Sequence, residues 1–466
     1  MSGRQPFSSR TVRGILSVIG LVMLVIFSIG SRSILDLVDT TNDHVEAATS
    51  QASPSTHILH QVQTTLAPLP TALSPSLPPS PSTVPTVPTP SQVPGQGILL
   101  APPMGWNGYN HFGRDVTAAL VEAEARALVS SGMKSAGYEY VNLDGGWGLL
   151  KRNASGTLEP NPVLFPHGIA PVAAYVHSLG LKFGIYTSAG TKNCAGTSDG
   201  SFGHFAHDAA TFASWGVDYV KLDWCYVPYN EFPTMSHMAV SEMIAGEMAQ
   251  ALLHTGRQIV FDINDTQFRH QADWHWAAHF GDMWRATRDI HNNFPSVVAN
   301  FTHDVVIPQA RSTKGWFDPD MLEIGNGVLT PAEEQAQFSL WSELAAPLIA
   351  GNDLITMTPS TRAVLTNRAV IAVDQDPLGR KGYAVYHENG LWVLTKPLAN
   401  GDRAVVFFND TPVPTLMSST CSAVAMRPAQ RYILRNLWTD AVTSTRGSFS
   451  AVVPARGVVM YRITPA

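Results

Sequence analysis

The chain has 466 residues with 30 Lys and Arg against 36 Asp and Glu, a formal net charge of −6, 45% hydrophobic and 14% charged residues. Charged residues make up roughly a quarter of ordinary globular chains; this sparse, slightly acidic set excludes a nucleic-acid partner, which is bound by clustered Lys and Arg. Three cysteines exclude a disulfide scaffold but leave room for one bridge, and 11 Trp, 12 Tyr and 19 Phe supply a large core or flat surfaces on which ligands stack.

The first predicted element is an export signal. Arg4, Arg10 and Arg13 precede an uncharged apolar run over 14–30, the pattern of a secretory signal. The run is also long enough to cross a bilayer as a short helix, so 1–32 is read as a cleaved signal or an uncleaved membrane tether. Either places the remaining chain outside the cytoplasm, extracellular or held at the cell surface. A buried core helix is the bland alternative, and no amphipathic neighbours follow on which it could pack. Residues 33–97 form a Pro/Ser/Thr-rich linker in which proline recurs every few positions. Proline fixes φ and removes backbone donors, which makes such a stretch an extended spacer.

After Gly97 short apolar runs alternate with helical segments. Strands are predicted over 99–106, 138–144, 181–188, 217–223, 258–264, 283–287, 316–321 and 347–353. Helices are predicted over 117–131, 205–215, 236–253, 331–344 and 361–373. Eight strands with intervening helices fit a (β/α)₈ barrel over 98–378 better than an open sheet. Trp106-Asn107, Asp144, Tyr186, Asp223, Asn264, Arg285, Asp318-Asp320 and Asn352-Asp353 each close an apolar run. In a barrel these ends converge on the face that carries active sites. A single Asp in such a place more often caps the next helix; the polar endings taken together favour a site. From 379 to 466 the rhythm becomes two-residue alternation broken by Asn389-Gly390 and Asn400-Gly401, which predicts an antiparallel β-sandwich without a catalytic set.

Several carboxylates with aromatic walls and no evident metal ligands suggest glycoside hydrolysis, which needs two carboxyl groups and neither metal nor cofactor. Asp223 is the candidate nucleophile: it ends the most apolar strand, and Lys221, two residues earlier on the same face, would keep it ionised. Asp289 is the candidate acid/base, in a loop where partial burial would favour its protonated form; Arg285 and Arg288 nearby act the other way. Gly196-Thr-Ser198-Asp-Gly200 fits a nucleophile-elbow pattern but follows a loop rather than a strand. His275 and His279 stand four apart with Trp276 where a metalloprotease has Glu, so they are read as packed in a helix. Asp318 and Asp320 form a weak cation motif because Pro319 separates them.

From about Leu99 onward the chain resembles the α-galactosidases, or melibiases, of glycoside hydrolase family twenty-seven. The matching segments are PPMGWNGYNHFG (102–113), AGYEYVNLDGGW (136–147), LGLKFGIYTSAGTKNCAG (179–196), DGSFGHFAHDAATFASWGVDYVKLDWC (199–225), WRATRDI (284–290), GWFDPDMLEIGNG (315–327) and AVDQDPLGRKGY (372–383). The resemblance implies a barrel followed by a β-sandwich, an oligosaccharide or polysaccharide substrate, and retention of configuration with Asp223 and Asp289 in the roles above. Retaining chemistry places two carboxyls roughly 5–5.5 Å apart. The resemblance also implies that Trp106, Tyr109, Asp144, Tyr186, Lys221, Asn264, Arg285 and Asp320 line the sugar subsite, with Tyr109 in place of a Trp. A bridge between Cys194 and Cys225 is implied in the same way, whereas Cys421 is left without a partner. Two positions depart from the family pattern: Gly145 stands where a second carboxylate follows strand two, and Ile263-Asn264-Asp265 replaces Cys-Glu-Trp. Both change hydrogen-bonding groups and so bear on which sugar is accepted. Related specificities on the same scaffold, for α-N-acetylgalactosaminides, β-L-arabinopyranosides or isomaltodextran, and a non-catalytic sugar-binding role remain the alternatives.

Overall fold

The computed structural model describes residues 98–466 apart from 266–273 and 308–314. The predicted signal or anchor and the Pro-rich linker lie outside these residues. No helix among the described residues is long and apolar enough to cross a membrane.

Eight parallel strands run in the order β7-β6-β5-β4-β3-β2-β1-β8. They are β1 (Met104–Asn107), β2 (Tyr140–Leu143), β3 (Lys182–Ser188), β4 (Tyr219–Asp223), β5 (Val260–Asn264), β6 (Met283–Arg285), β7 (Trp316–Asp318) and β8 (Leu348–Ala350). A parallel bridge between Leu322 and Ala350, just past β7, closes the cylinder. The surrounding helices are α1 (Ala118–Ser130), α2 (Ala170–Ser178), α3 (Phe205–Trp215), α4 (His237–His254), α5 (Trp274–Phe280), α6 (Phe294–Val305), α7 (Pro331–Leu344), α8 (Pro359–Leu365) and α9 (Arg368–Asp374). The predicted barrel is thus present. Its sixth and seventh strands are shorter than the sequence pattern suggests: β7 stops before Pro319, which has no backbone N–H for a ladder. The helix predicted over 361–373 is two helices, because the Asn367 side chain accepts from Ala369 N and Val370 N and starts a new one. Buried strands on both faces explain the near-continuous apolar runs, since helices cover the outside and Tyr140, Tyr219, Val260, Met283 and Trp316 cluster together.

The C-terminal domain is a six-stranded antiparallel sheet, β14-β13-β16-β11-β10-β9, with a two-stranded sheet β12-β15. The strands are β9 (Tyr383–Glu388), β10 (Leu391–Pro397), β11 (Arg403–Asn409), β12 (Thr415–Thr420), β13 (Tyr432–Asn436), β14 (Val442–Thr445), β15 (Ser448–Val453) and β16 (Gly457–Pro465). Alternation in β11 decides how it sits. Val405 and Phe407 pack with Met417 and Phe449 of the small sheet, while Val406 and Phe408 join the barrel core, Phe408 edge-on to Phe301 of α6. Both faces of the large sheet are therefore buried at its centre, while its edge strands β9 and β14 are largely exposed, and Cys421 lies buried as a free thiol in the sandwich core.

Where α7, α9 and β10 meet, Lys396 and Glu343 are fully buried and Asp374 nearly so. The Lys396 ammonium donates to the Ser342 carbonyl at 2.8 Å. Burial, only partly countered by Lys396, pushes both carboxyls up to about 8. A carboxyl that is protonated when folded and releases its proton on unfolding stabilises the fold below its unfolded pKa. That stability is lost as pH rises through the folded value. The window therefore runs from about 4 to about 8, at no more than ~1.4 kcal/mol per pH unit for each group. The thermal midpoint is expected to fall between about pH 5 and pH 8, and Glu343→Gln with Asp374→Asn to flatten that slope; a midpoint that rises with pH and ignores both changes would contradict this.

Candidate active site

The C-terminal ends of the strands surround a cleft of about 320 Å³. Asp223 at the end of β4 and Asp289 in the loop after β6 both line it, with Tyr109, Asp144, Tyr186, Lys221, Asn264, Arg285 and Asp320. Each of β2 to β6 thus contributes its predicted polar residue, Tyr186 from within β3 and the others at or just past the strand end. The two-residue period aims Lys221 and Asp223 to the same side of β4. The Lys221 ammonium donates to Asp144 Oδ2 at 2.9 Å and lies 5.8 Å from the Tyr186 ring centre. Asp144 Oδ2 also accepts from Asn107 Nδ2 at 2.7 Å, and Oδ1 accepts from Gly145 N at 2.7 Å. Burial pushes the Asp144 carboxyl up, but Lys221 and these donors outweigh it and hold the group below the usual range.

Asp223 balances differently. Its Oδ1 accepts from Trp224 N at 2.8 Å. Burial raises its pKa, Lys221 lowers it and Asp144 raises it again, leaving it above the ordinary value. A disulfide joins Cys194 in the β3–α3 loop to Cys225 just past β4. Cys194 Sγ lies 3.0 Å from Asp223 Oδ2; a disulfide sulfur has no proton to donate, so this is a packing contact that limits where the carboxylate can turn. Cys194, Asp223 and Cys225 lie near enough together to suggest a metal site, but sulfurs oxidised to a disulfide are not thiolate ligands. The bridge spans 31 positions, for which chain entropy gives ~3–4 kcal/mol of stabilisation. Cys194→Ser with Cys225→Ser is expected to lose about that much in denaturant unfolding and to reduce activity as well. Full stability and activity without the bridge would show that it braces nothing.

Arg285 organises the other wall. Fully enclosed, it contacts Asp289 Oδ1 at 2.7 Å, Asp320 Oδ1 at 2.9 Å and Asp318 Oδ2 at 3.5 Å. Partial enclosure raises the Asp289 carboxyl, and the Arg285 guanidinium more than reverses this, holding it below the usual range. The Asp289 side chain is nonetheless 71% exposed, on the open side of the cleft that it lines. Asp320 adopts φ 79°, a left-handed conformation that favours glycine. The strain is offset by its contacts: its carboxylate also accepts from Ile290 N and Met321 N, both at 2.8 Å, and its carbonyl accepts from the Trp341 indole at 2.8 Å. Beneath Arg285 lie Asp262 and Asp318, both pushed up chiefly by burial, Asp262 also by the charge of Asp318 and Asp318 by that of Asp320, against the pull of Arg285. The pair therefore retains protons at pH values where a lone surface Asp is fully ionised.

The cleft includes eight of the predicted subsite and catalytic residues besides Asp223, but not Trp106. That indole is 1% exposed and donates to the Asn352 carbonyl at 2.8 Å, so it supports the wall from behind instead of facing a sugar. His279 is exposed on α5 instead of packed, while the His275 side chain lies outside the described residues. Ser198 sits in a loop where Ser198 N donates to the Asn193 side chain, with no strand before it. Reading strand ends missed Asn110, on the single helical turn Tyr109–Phe112 after β1, and Arg114, Asn193 and His291, which loops bring to the cleft.

Residues 101–376 match the family described as "Alpha galactosidase A", and 388–463 match "Alpha galactosidase C-terminal beta sandwich domain". A "Probable alpha-galactosidase" of Dictyostelium discoideum is 40% identical over 379 residues, covering 79% of this chain and 94% of its own. The alpha-galactosidase of Cyamopsis tetragonoloba is 38% identical over 370 residues, covering 79% and 87%. The crystal structure of alpha-galactosidase I from Mortierella vinacea superposes with a TM-score of 0.75 at 30% identity, covering 80% of this chain and 98% of that one. With the barrel and the sandwich domains both matched in one order, the chain belongs to the alpha-galactosidase A family, family twenty-seven of the glycoside hydrolases.

Proposed function

We propose that the protein releases terminal α-linked galactose by double displacement, with Asp223 as nucleophile and Asp289 as general acid and base. The observation that carries this reading is the meeting of Asp223 and Asp289 in one cleft, one carboxylate enclosed on the same strand face as Lys221, the other exposed in the loop after β6. In the first step an Asp223 oxygen attacks the anomeric carbon. The bond to the leaving oxygen breaks as Asp289 gives it a proton. In the second step Asp289 takes a proton from water, the water oxygen attacks the same carbon, and Asp223 departs as a carboxylate. Two inversions give net retention. Lys221, Asp144, Tyr186, Asn264, Arg285 and Asp320 supply donors and acceptors for the sugar hydroxyls. Asn264 Oδ1 is buried without a hydrogen-bond partner and is thus available to a substrate donor.

A panel of aryl glycosides, α-galactoside, α-N-acetylgalactosaminide, β-L-arabinopyranoside and α-glucoside, together with dextran, tests the reading. The α-galactoside is expected to be turned over fastest, and Asp223→Ala to abolish that turnover. Binding without turnover of any member would identify a sugar-binding protein instead. We assign catalysis to 98–378 and a supporting role to 379–466. We also infer that the protein works outside the cytoplasm. The basic-then-apolar pattern before residue 32 supports export or a membrane tether, and a disulfide beside the reacting carboxylate suits an oxidising compartment.

A further inference from the structure

We propose that Arg114 and Gly145 form an anion-accepting subsite, so that the preferred α-galactoside bears a negative charge on C6, as in a galacturonide or a 6-O-sulfated or 6-O-phosphorylated galactose. This deepens the proposed glycosidase reading and rests on it.

The strand order fixes how a pyranose would lie. The reacting carbon must meet Asp223 on β4 and Asp289 after β6, so the opposite ring edge, C4 and the C5 substituent, turns toward the ends of β1 and β2. At that edge the cleft is lined by Tyr109, Arg114, Asp144 and Gly145. The other fixed cations of the cleft are committed: Lys221 to Asp144, and Arg285 to Asp289, Asp318 and Asp320. Arg114 is exposed and has no hydrogen-bond or ion-pair partner among the described residues. Its positive charge also reaches Tyr109, whose hydroxyl burial and Asp144 push up and Lys221 and Arg114 only partly pull back.

Two glycines hold this arrangement open. Gly146 has φ 111°, and a Cβ there would come within 2.9 Å of Arg114 Cβ, so only glycine lets the arginine stem lie at the rim. Gly145 brings no side chain to the wall it shares with Arg114. A Cβ there would meet nothing closer than the Tyr186 ring at 3.4 Å, which leaves open space on the cleft wall that Gly145 and Arg114 both line. Asp144 does not oppose an anion at full strength, since both its oxygens already accept from Asn107, Lys221 or Gly145 N. A planar, permanently charged guanidinium without a protein partner suits a carboxylate, sulfate or phosphate.

The test compares kcat/KM for four aryl α-glycosides: neutral galactoside, galacturonide, galactoside 6-sulfate and galactoside 6-phosphate. Measurements use the wild type, Arg114→Met and Gly145→Asp at low and high ionic strength. At least one anionic substrate is expected to exceed the neutral one in the wild type. That ratio should fall by ~10-fold or more in each variant, as expected for loss of a charged contact or addition of a like charge, and raised salt should narrow it. A best response to the galacturonide identifies a carboxylate ligand, and one to the esters a sulfate or phosphate. If the neutral galactoside is turned over and preferred over all three, or if the ratio ignores both substitutions, the anion subsite is wrong while the glycosidase reading stands. If none of the four is hydrolysed, both fail.

Discussion

Asp223→Ala is expected to lower kcat for an aryl α-galactoside on the order of 10⁴-fold, as removal of a covalent catalyst does in enzymes whose reacting groups act as a unit. The fold should not suffer. Burial raises the Asp223 pKa despite Lys221, so its ionised form is disfavoured by the folded protein at neutral pH. Removing it leaves the thermal midpoint equal or higher. The vacated space also admits a small anion. Azide added to the variant attacks the anomeric carbon from the side Asp223 occupied while Asp289 still protonates the leaving oxygen, giving the β-galactosyl azide. Loss of activity with a collapsed midpoint would instead assign Asp223 a structural role.

Asp289→Ala is expected to act through the leaving group. General acid catalysis is worth ~10²–10⁴-fold, and this should be lost for alkyl galactosides but far less for a dinitrophenyl galactoside, whose oxygen leaves without a proton. With the activated substrate the galactosyl-enzyme forms and then waits for a base, so a burst appears. Azide speeds its breakdown and yields the α-galactosyl azide, opposite in configuration to the product from Asp223→Ala. The pH dependence follows from the same pair. Turnover needs Asp223 ionised and Asp289 protonated, yet burial raises the former and Arg285 lowers the latter. The two limbs of kcat/KM are thereby drawn together in the acid range, giving a narrow maximum below neutrality. Asp289→Ala should remove the alkaline limb for the activated substrate. A wild-type optimum above neutrality would contradict this assignment. The carboxyls at the barrel–sandwich seam, protonated when folded, favour the same acid range for stability.

Much of the site was legible because strands impose a period of two and a barrel gathers strand ends. Asp144, Asp223, Asn264 and Arg285 needed only those rules. The ring of Trp106 was not legible in the same way: a residue at a strand end can face the cleft or the helix layer, and its indole reaches back to Asn352. Asp262 gave no signal, since an acid inside a strand reads as a polar face, whereas it lies buried with its neighbour Asp318. Arg114 and His291 belong to loops, whose course depends on features such as the positive φ of Gly146 that no hydrophobic pattern records. The sandwich followed from alternation alone, but its division into six strands and two did not, because burial of both faces of β11 depends on the barrel helices beneath it.

Double displacement requires a covalent bond between the sugar and Asp223. A 2-deoxy-2-fluoro galactosyl donor with a good leaving group destabilises the oxocarbenium-like transition states and lets such an intermediate accumulate. After proteolysis, mass spectrometry should find one fluorosugar on the peptide holding Asp223. Attachment to another carboxylate, or steady turnover of galactosides with inversion and no labelled peptide, would contradict it.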